Sequence, residues 1–121
     1  RDRSNPGVRQ WFNAIDDDQL FLSVITLGEI RKGIERLRPR APAQAVVLER
    51  WLSTLEKSFS ERLLPIDKST ADQWGKIQAI RPLPEIDALI AAACLQNDLT
   101  LVTRNDADFS GIGIRVLDPF S

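Results

Sequence analysis

Four short apolar runs, LFLSV (Leu20 to Val24), RLLPI (Arg62 to Ile66), LTLVT (Leu99 to Thr103) and IRVLD (Ile114 to Asp118), alternate with segments whose apolar residues recur at helical spacing. Short apolar runs bounded by turn formers read as strands, and strands that alternate with helices are joined by crossovers, which set them parallel in one sheet. The order predicts an α/β domain with its functional residues at the carboxyl ends of the strands.

The helical segments can be placed by their caps. Asn5 and Pro6 open a first helix carrying Val8, Trp11, Phe12 and Ile15, which the acidic turn Asp16 to Asp18 ends. Ile30, Ile34 and Leu37 form the apolar side of a second. Pro39 and Pro42 bracket a linker to a strongly amphipathic third helix with Val47, Leu48, Trp51, Leu52, Leu55 and Phe59, which pairs with its predecessor as a hairpin. Asp67, Ser69 or Thr70 caps a fourth, with Ala71, Trp74 and Ile77. Arg81-Pro82-Leu83-Pro84 breaks the chain before LPEIDALIAAACL (Leu83 to Leu95), a helix apolar nearly all round, which Asn97 and Asp98 stop. No repeat or domain boundary interrupts the pattern. The 121 residues, 43% hydrophobic, are read as a single domain, 1–121, able to bury a core of its own.

Composition excludes much chemistry. Sixteen basic and 17 acidic residues give a net charge of -1, so any nucleic-acid binding must come from a local patch. The single cysteine, Cys94, lies in the apolar run, which suits a buried thiol in the cytoplasm and leaves no internal disulfide. No apolar run approaches the roughly 18 residues of a membrane span. There is no histidine and no tyrosine, so imidazole-based nucleophile activation, general acid catalysis and zinc ligation are all absent. Catalysis must rest on carboxylates, lysine, arginine or a bound metal.

Carboxylates stand at three places along the predicted sheet edge. Glu29, one turn into the helix after the first visible strand, fits a capping box with Thr26 when taken alone. Asp87 suits the positive end of its helix, but a carboxylate on a helix that is apolar all round needs a partner. The loop TLVTRNDADF carries Thr103, Asn105, Asp106 and Asp108, residues that also make ordinary turns. Gathered within about 5 Å, carboxylates would repel by about 3 kcal/mol per pair at an effective dielectric near 20, so the cluster calls for a cation. Oxygen ligands without imidazole or thiolate suit Mg²⁺ or Mn²⁺.

Together, SVITLGEIRKGIERL, RPLPEIDALIAAACLQNDLTLVTRNDADF and GIGIRVLDPF resemble the PIN-domain ribonucleases, specifically the VapC-like toxins of toxin-antitoxin modules, over nearly the whole chain. The resemblance implies a PIN-like three-layer α/β domain, a short parallel sheet flanked by helices, that hydrolyses RNA with Mg²⁺ or Mn²⁺. It implies Glu29 and Asp87 as two of the acids. The third is Asp108, with Asp106 as the alternative, and Thr103 and Asn105 as polar groups behind the ligands. Relatives also begin with a central strand ending in a motif like LDTN, whose aspartate is a main ligand; that strand is expected ahead of Arg1, and several more residues are expected between Ile80 and Arg81.

In this reading the carboxylates orient and deprotonate a metal-bound water for attack on phosphorus. The stretch RKGIERLRPR, with Arg31 and Arg36, and Arg104 beside the acidic loop are the RNA-binding candidates. The resemblance further implies a homodimer and a VapB-like antitoxin laid across the cleft. The RNA, whether tRNA, rRNA or mRNA, is left open. Two other readings stand beside it: a related metal nuclease acting on DNA, and an inactive PIN-like binding module whose acids receive a partner's basic residues.

Overall fold

A computed structural model describes residues 17–102, 109 and 111–117. The expected helix over Val8 to Ile15 lies outside them, and the described chain opens on a 3-10 turn, Asp17–Gln19. The chain divides into two compact units, one spanning Phe21–Pro65 and the other made of the residues up to Leu20 together with those from Ile66 onward.

In the first unit, β1 (Leu22–Ser23) runs without a loop into α1 (Val24–Leu37). Ser23 explains the abruptness. Its backbone is extended and its Oγ accepts the Ile25 N–H at 3.1 Å, so the last strand residue is also the helix cap. Val24, read from the sequence as strand, is therefore the first helical residue. After α1 the chain turns through Ala41 into α2 (Pro42–Ser58), where Pro42 begins the helix instead of bounding a linker: proline's missing N–H costs nothing in a first turn.

The two helices pack through Ile34, Ala45 and Leu52, all buried, with Leu27, Ile30, Leu48 and Leu55 around them. This is the expected hairpin. Burial of side chains the size of Ile34 and Leu52 contributes about 1.5–3 kcal/mol each. The chain returns as β2 (Leu63–Leu64), parallel to β1, with Leu22 opposite Leu63 and Ser23 opposite Leu64.

In the second unit, α3 (Lys68–Ile80) starts at Asp67, whose Oδ1 accepts both the N–H and the Oγ1–H of Thr70 at 2.9 Å. Of the candidate caps, Asp67 has the role and Thr70 is its buried partner. Next comes α4 (Glu85–Gln96), the helix read as apolar all round. Ala88, Ala91, Ala92 and Ala93 are wholly buried, and the methyl-sized side chains of the first three admit Ile77, Leu83, Leu101, Phe109 and Ile112 into one core.

Asn97 caps α4 and Asp98 follows with a positive φ of 55°, while the Leu99 N–H reaches back to the Cys94 carbonyl at 2.8 Å. This left-handed closing turn satisfies carbonyls that the helix end would strand. Then β3 (Leu101–Val102) pairs parallel with β4 (Val116–Leu117). Arg115 locks the approach, its Nη1 on Asp98 Oδ1 at 2.9 Å and its Nη2 on the Asp98 carbonyl at 2.8 Å.

Each strand is only two residues long where the sequence suggested five. The neighbours explain part of this: Val24 is taken by a helix, and Pro65 has no N–H to give a ladder. No described helix is long and apolar enough to cross a membrane.

Candidate active site

Glu29 lies in the second turn of α1, because the Ser23 cap starts that helix one turn before the position the Thr26–Glu29 capping box would require. The capping-box reading of Glu29 is thereby corrected. Its carboxylate, partly exposed, takes the ammonium of Lys32 at 3.1 Å instead.

Asp87 stands in the first turn of α4, beside Glu85. The cap residue of this helix is Pro84, which has no side-chain oxygen, so the open N–H groups of the first turn favour nearby anions. Asp87 is half-buried, and among the described residues it makes no hydrogen bond or ion pair. Glu85 differs, since its Oε1 accepts Nε2 of Gln78 at 3.0 Å.

Gln78 also grips the turn ahead of α4. Its Oε1 accepts the Leu83 N–H at 2.7 Å and its Nε2 donates to the Leu83 carbonyl at 2.9 Å, so one amide replaces a strand partner for that residue. The sequence reading missed Gln78. A glutamine on the last turns of a helix carries no motif, and only its five-residue distance from a Pro-flanked leucine hinted at the bond.

The third group, Thr103, Arg104, Asn105, Asp106 and Asp108, lies outside the described residues. Glu29 belongs to the first unit and Asp87 to the second. Among the described residues no three His, Cys, Asp or Glu side chains gather closely enough to hold a metal. In donor chemistry the two described acids fit a hard divalent cation, being carboxylates with no nitrogen or sulfur ligand nearby in sequence.

The basic stretch of α1 is divided in use. Arg31 Nη1 lies 3.2 Å from Glu35 and 2.7 Å from Glu49 of α2, and Arg38 Nη2 lies 2.8 Å from Glu35 and 3.3 Å from Glu49. Hydrogen bonding to Arg38, with help from Arg31, pulls the Glu35 carboxyl down to about 2, and Arg31 chiefly holds Glu49 below its ordinary range. Arg36 is exposed and stands outside this network.

Residues 1–114 match the PIN domain family. The chain belongs to that family. Its α/β architecture of short parallel strands and helices is accordingly a PIN-domain fold. This PIN domain is 34% identical to the plasmid stability protein StbB of Pseudomonas syringae pv. tomato over 99% of the chain and 89% of the relative. It is 28% identical to ribonuclease VapC5 of Mycobacterium tuberculosis, over 86% of the chain and 76% of the relative. Toxin FitB of Neisseria gonorrhoeae is 27% identical over 99% of the chain and 89% of the relative. The crystal structure of FitAcB from the same organism aligns with a TM-score of 0.85, at 27% identity, over 99% of the chain and 89% of the compared chain.

Proposed function

We propose that this PIN domain is a metal-dependent endoribonuclease and the toxin of a toxin-antitoxin pair. Membership of the family supports the reading, as do relatives named as a toxin and as a ribonuclease. The observation that carries it is Asp87: a half-buried carboxylate, without a partner among the described residues, at the start of a helix whose Ala88 and Ala91 to Cys94 are buried in the core. A charge so placed is expensive unless something cationic meets it.

Glu29, Asp87 and Asp108, with Asp106 as the alternative, would hold Mg²⁺ or Mn²⁺, and Thr103 and Asn105 would support them. The ion would supply an activated water and neutralise charge on a phosphodiester undergoing hydrolysis. Lys32 pairs with the Glu29 carboxylate at 3.1 Å, and Asp87 stands in a first turn whose cap residue, Pro84, offers no side-chain acceptor to the open N–H groups. Arg104 is placed by sequence beside the acidic loop, where its guanidinium can take a phosphate.

The partners follow from the same reading: an RNA substrate, a second copy in a homodimer, and a VapB-like antitoxin, all in the cytoplasm. Val46, Val47 and Trp51 remain exposed on α2 and offer apolar area for the antitoxin.

The test is Mn²⁺-dependent cleavage of a mixed tRNA and ribosomal RNA pool by the antitoxin-free protein, beside Asp87→Asn. Cleavage that disappears with EDTA and in the variant supports the assignment. Silence in both, with the protein folded, removes it in favour of a binding module, and cleavage of DNA alone redirects it to a DNA nuclease.

A further inference from the structure

The charges of α1 are sorted onto two sides. Arg31, Glu35 and Arg38 follow one another at helical neighbour spacing and are tied to each other and to Glu49. Glu29, Lys32 and Arg36 form a second row at the same kind of spacing. In that row Lys32 is occupied by Glu29, while Arg36 is exposed and makes no hydrogen bond or ion pair among the described residues.

Gly28 and Gly33 flank the second row. A Cβ added to either meets nothing within 4 Å, so close packing does not require glycine there. Each nonetheless costs a helix about 1 kcal/mol relative to alanine. Gly28 and Gly33 thus leave the backbone uncovered by side chains on either side of Lys32, ahead of Arg36.

Resting on the nuclease reading above, we propose that Arg36 is a backbone contact for the RNA substrate, binding a phosphate farther along the strand from the one at Glu29, and that Arg31 and Arg38 take no part. Seven residues of helix separate Glu29 from Arg36, about 10 Å along the axis at 1.5 Å per residue. A polyanionic strand that follows this row from Glu29 passes Lys32, already paired, and meets an uncommitted cation at Arg36, whose planar guanidinium can grip two phosphate oxygens. The other two arginines have their donors turned to Glu35 and Glu49, so recruiting them would leave those carboxylates without partners.

The test is binding of a short fluorescein-labelled single-stranded RNA to the antitoxin-free protein in EDTA, by anisotropy, across a series of salt concentrations. Arg36→Gln is expected to weaken binding roughly fivefold at low salt and to reduce the slope of log K against log salt by about 0.7, the loss of one phosphate contact. Arg36→Lys should restore the slope. Arg38→Gln removes the same charge and should leave the slope at the wild-type value.

Equal slopes for wild type and Arg36→Gln, or equal losses in Arg36→Gln and Arg38→Gln, overturn the contact. Mn²⁺-dependent cleavage measured in parallel separates the two levels. A wild type that cleaves RNA but is indifferent to Arg36 loses only this contact, whereas one that neither binds nor cleaves RNA loses the nuclease reading with it.

Discussion

Arg31 Nη1 sits 2.7 Å from Glu49 Oε2, joining α1 to α2 across eighteen residues of sequence. With Glu35 and Arg38 it completes a network of two guanidinium and two carboxylate groups on the rim of the hairpin. All four side chains are partly exposed, so the network orients the helices more than it stabilises them.

Its pH signature is specific. The Glu35 carboxyl is lowered in the folded protein, from 4.5 to about 2, mainly by Arg38. A depressed carboxylate contributes stability above its unfolded value, and that contribution fades as pH falls from about 4.5 to about 2. NMR titration of the Glu35 carboxyl should therefore show a midpoint well below that of an ordinary glutamate. In Arg38→Gln it should move back up, and high salt should weaken the shift.

Ser23 has two jobs, one in the ladder with Leu64 and one as the α1 cap. Ser23→Ala should cost about 1 kcal/mol in chemical denaturation, with Ser23→Asp recovering part of it. A loss near zero would mean that the Ile25 N–H finds another acceptor.

Asp87→Asn should leave the metal-free protein as stable as wild type or slightly more so, because it removes a half-buried charge with no partner among the described residues. Mn²⁺ should raise the Tm of wild type and not that of the variant, since only the native state with its carboxylate binds the ion. Thermal melts with and without Mn²⁺ check both halves of the statement.

Cys94 is 8% exposed, and burial pushes its thiol up to about 11. Thiolate is the reactive form, so labelling by a disulfide reagent at pH 8 should be slow in the native protein and fast in denaturant. Rapid native labelling would show that α4 opens far more readily than its packing implies.

The parts of this fold that were legible in the sequence are those where a single side chain carries the decision. The cap of α3 could be narrowed to Asp67, Ser69 or Thr70 because each has an oxygen to offer the first turn, and Leu83 to Leu95 could be named as a buried helix because alanine and leucine surround it. Boundaries were less legible. Ser23 looks like any residue of an apolar strand until its hydroxyl is seen on the Ile25 N–H, and Pro42, read as the end of a linker, is the first residue of a helix. Residue types located Glu29 and Asp87, but not the Lys32 that meets Glu29 or the Gln78 that holds the turn before α4. Lys32 and Gln78 were invisible as such, because a lysine three residues away, or a glutamine facing a turn, occurs on many helices with no consequence.

The brevity of the strands has a dynamic corollary. With two-residue ladders in each unit, few amides are shielded by sheet pairing, whereas α4 is enclosed by side chains on several sides. Native-state hydrogen exchange should therefore be slowest at Ala91 to Cys94 and faster across the strands, an inversion of the usual α/β order in which the sheet is the last element to open. Asp87 would then ride on the kinetically most persistent part of the described chain, holding its place while the structure around it breathes.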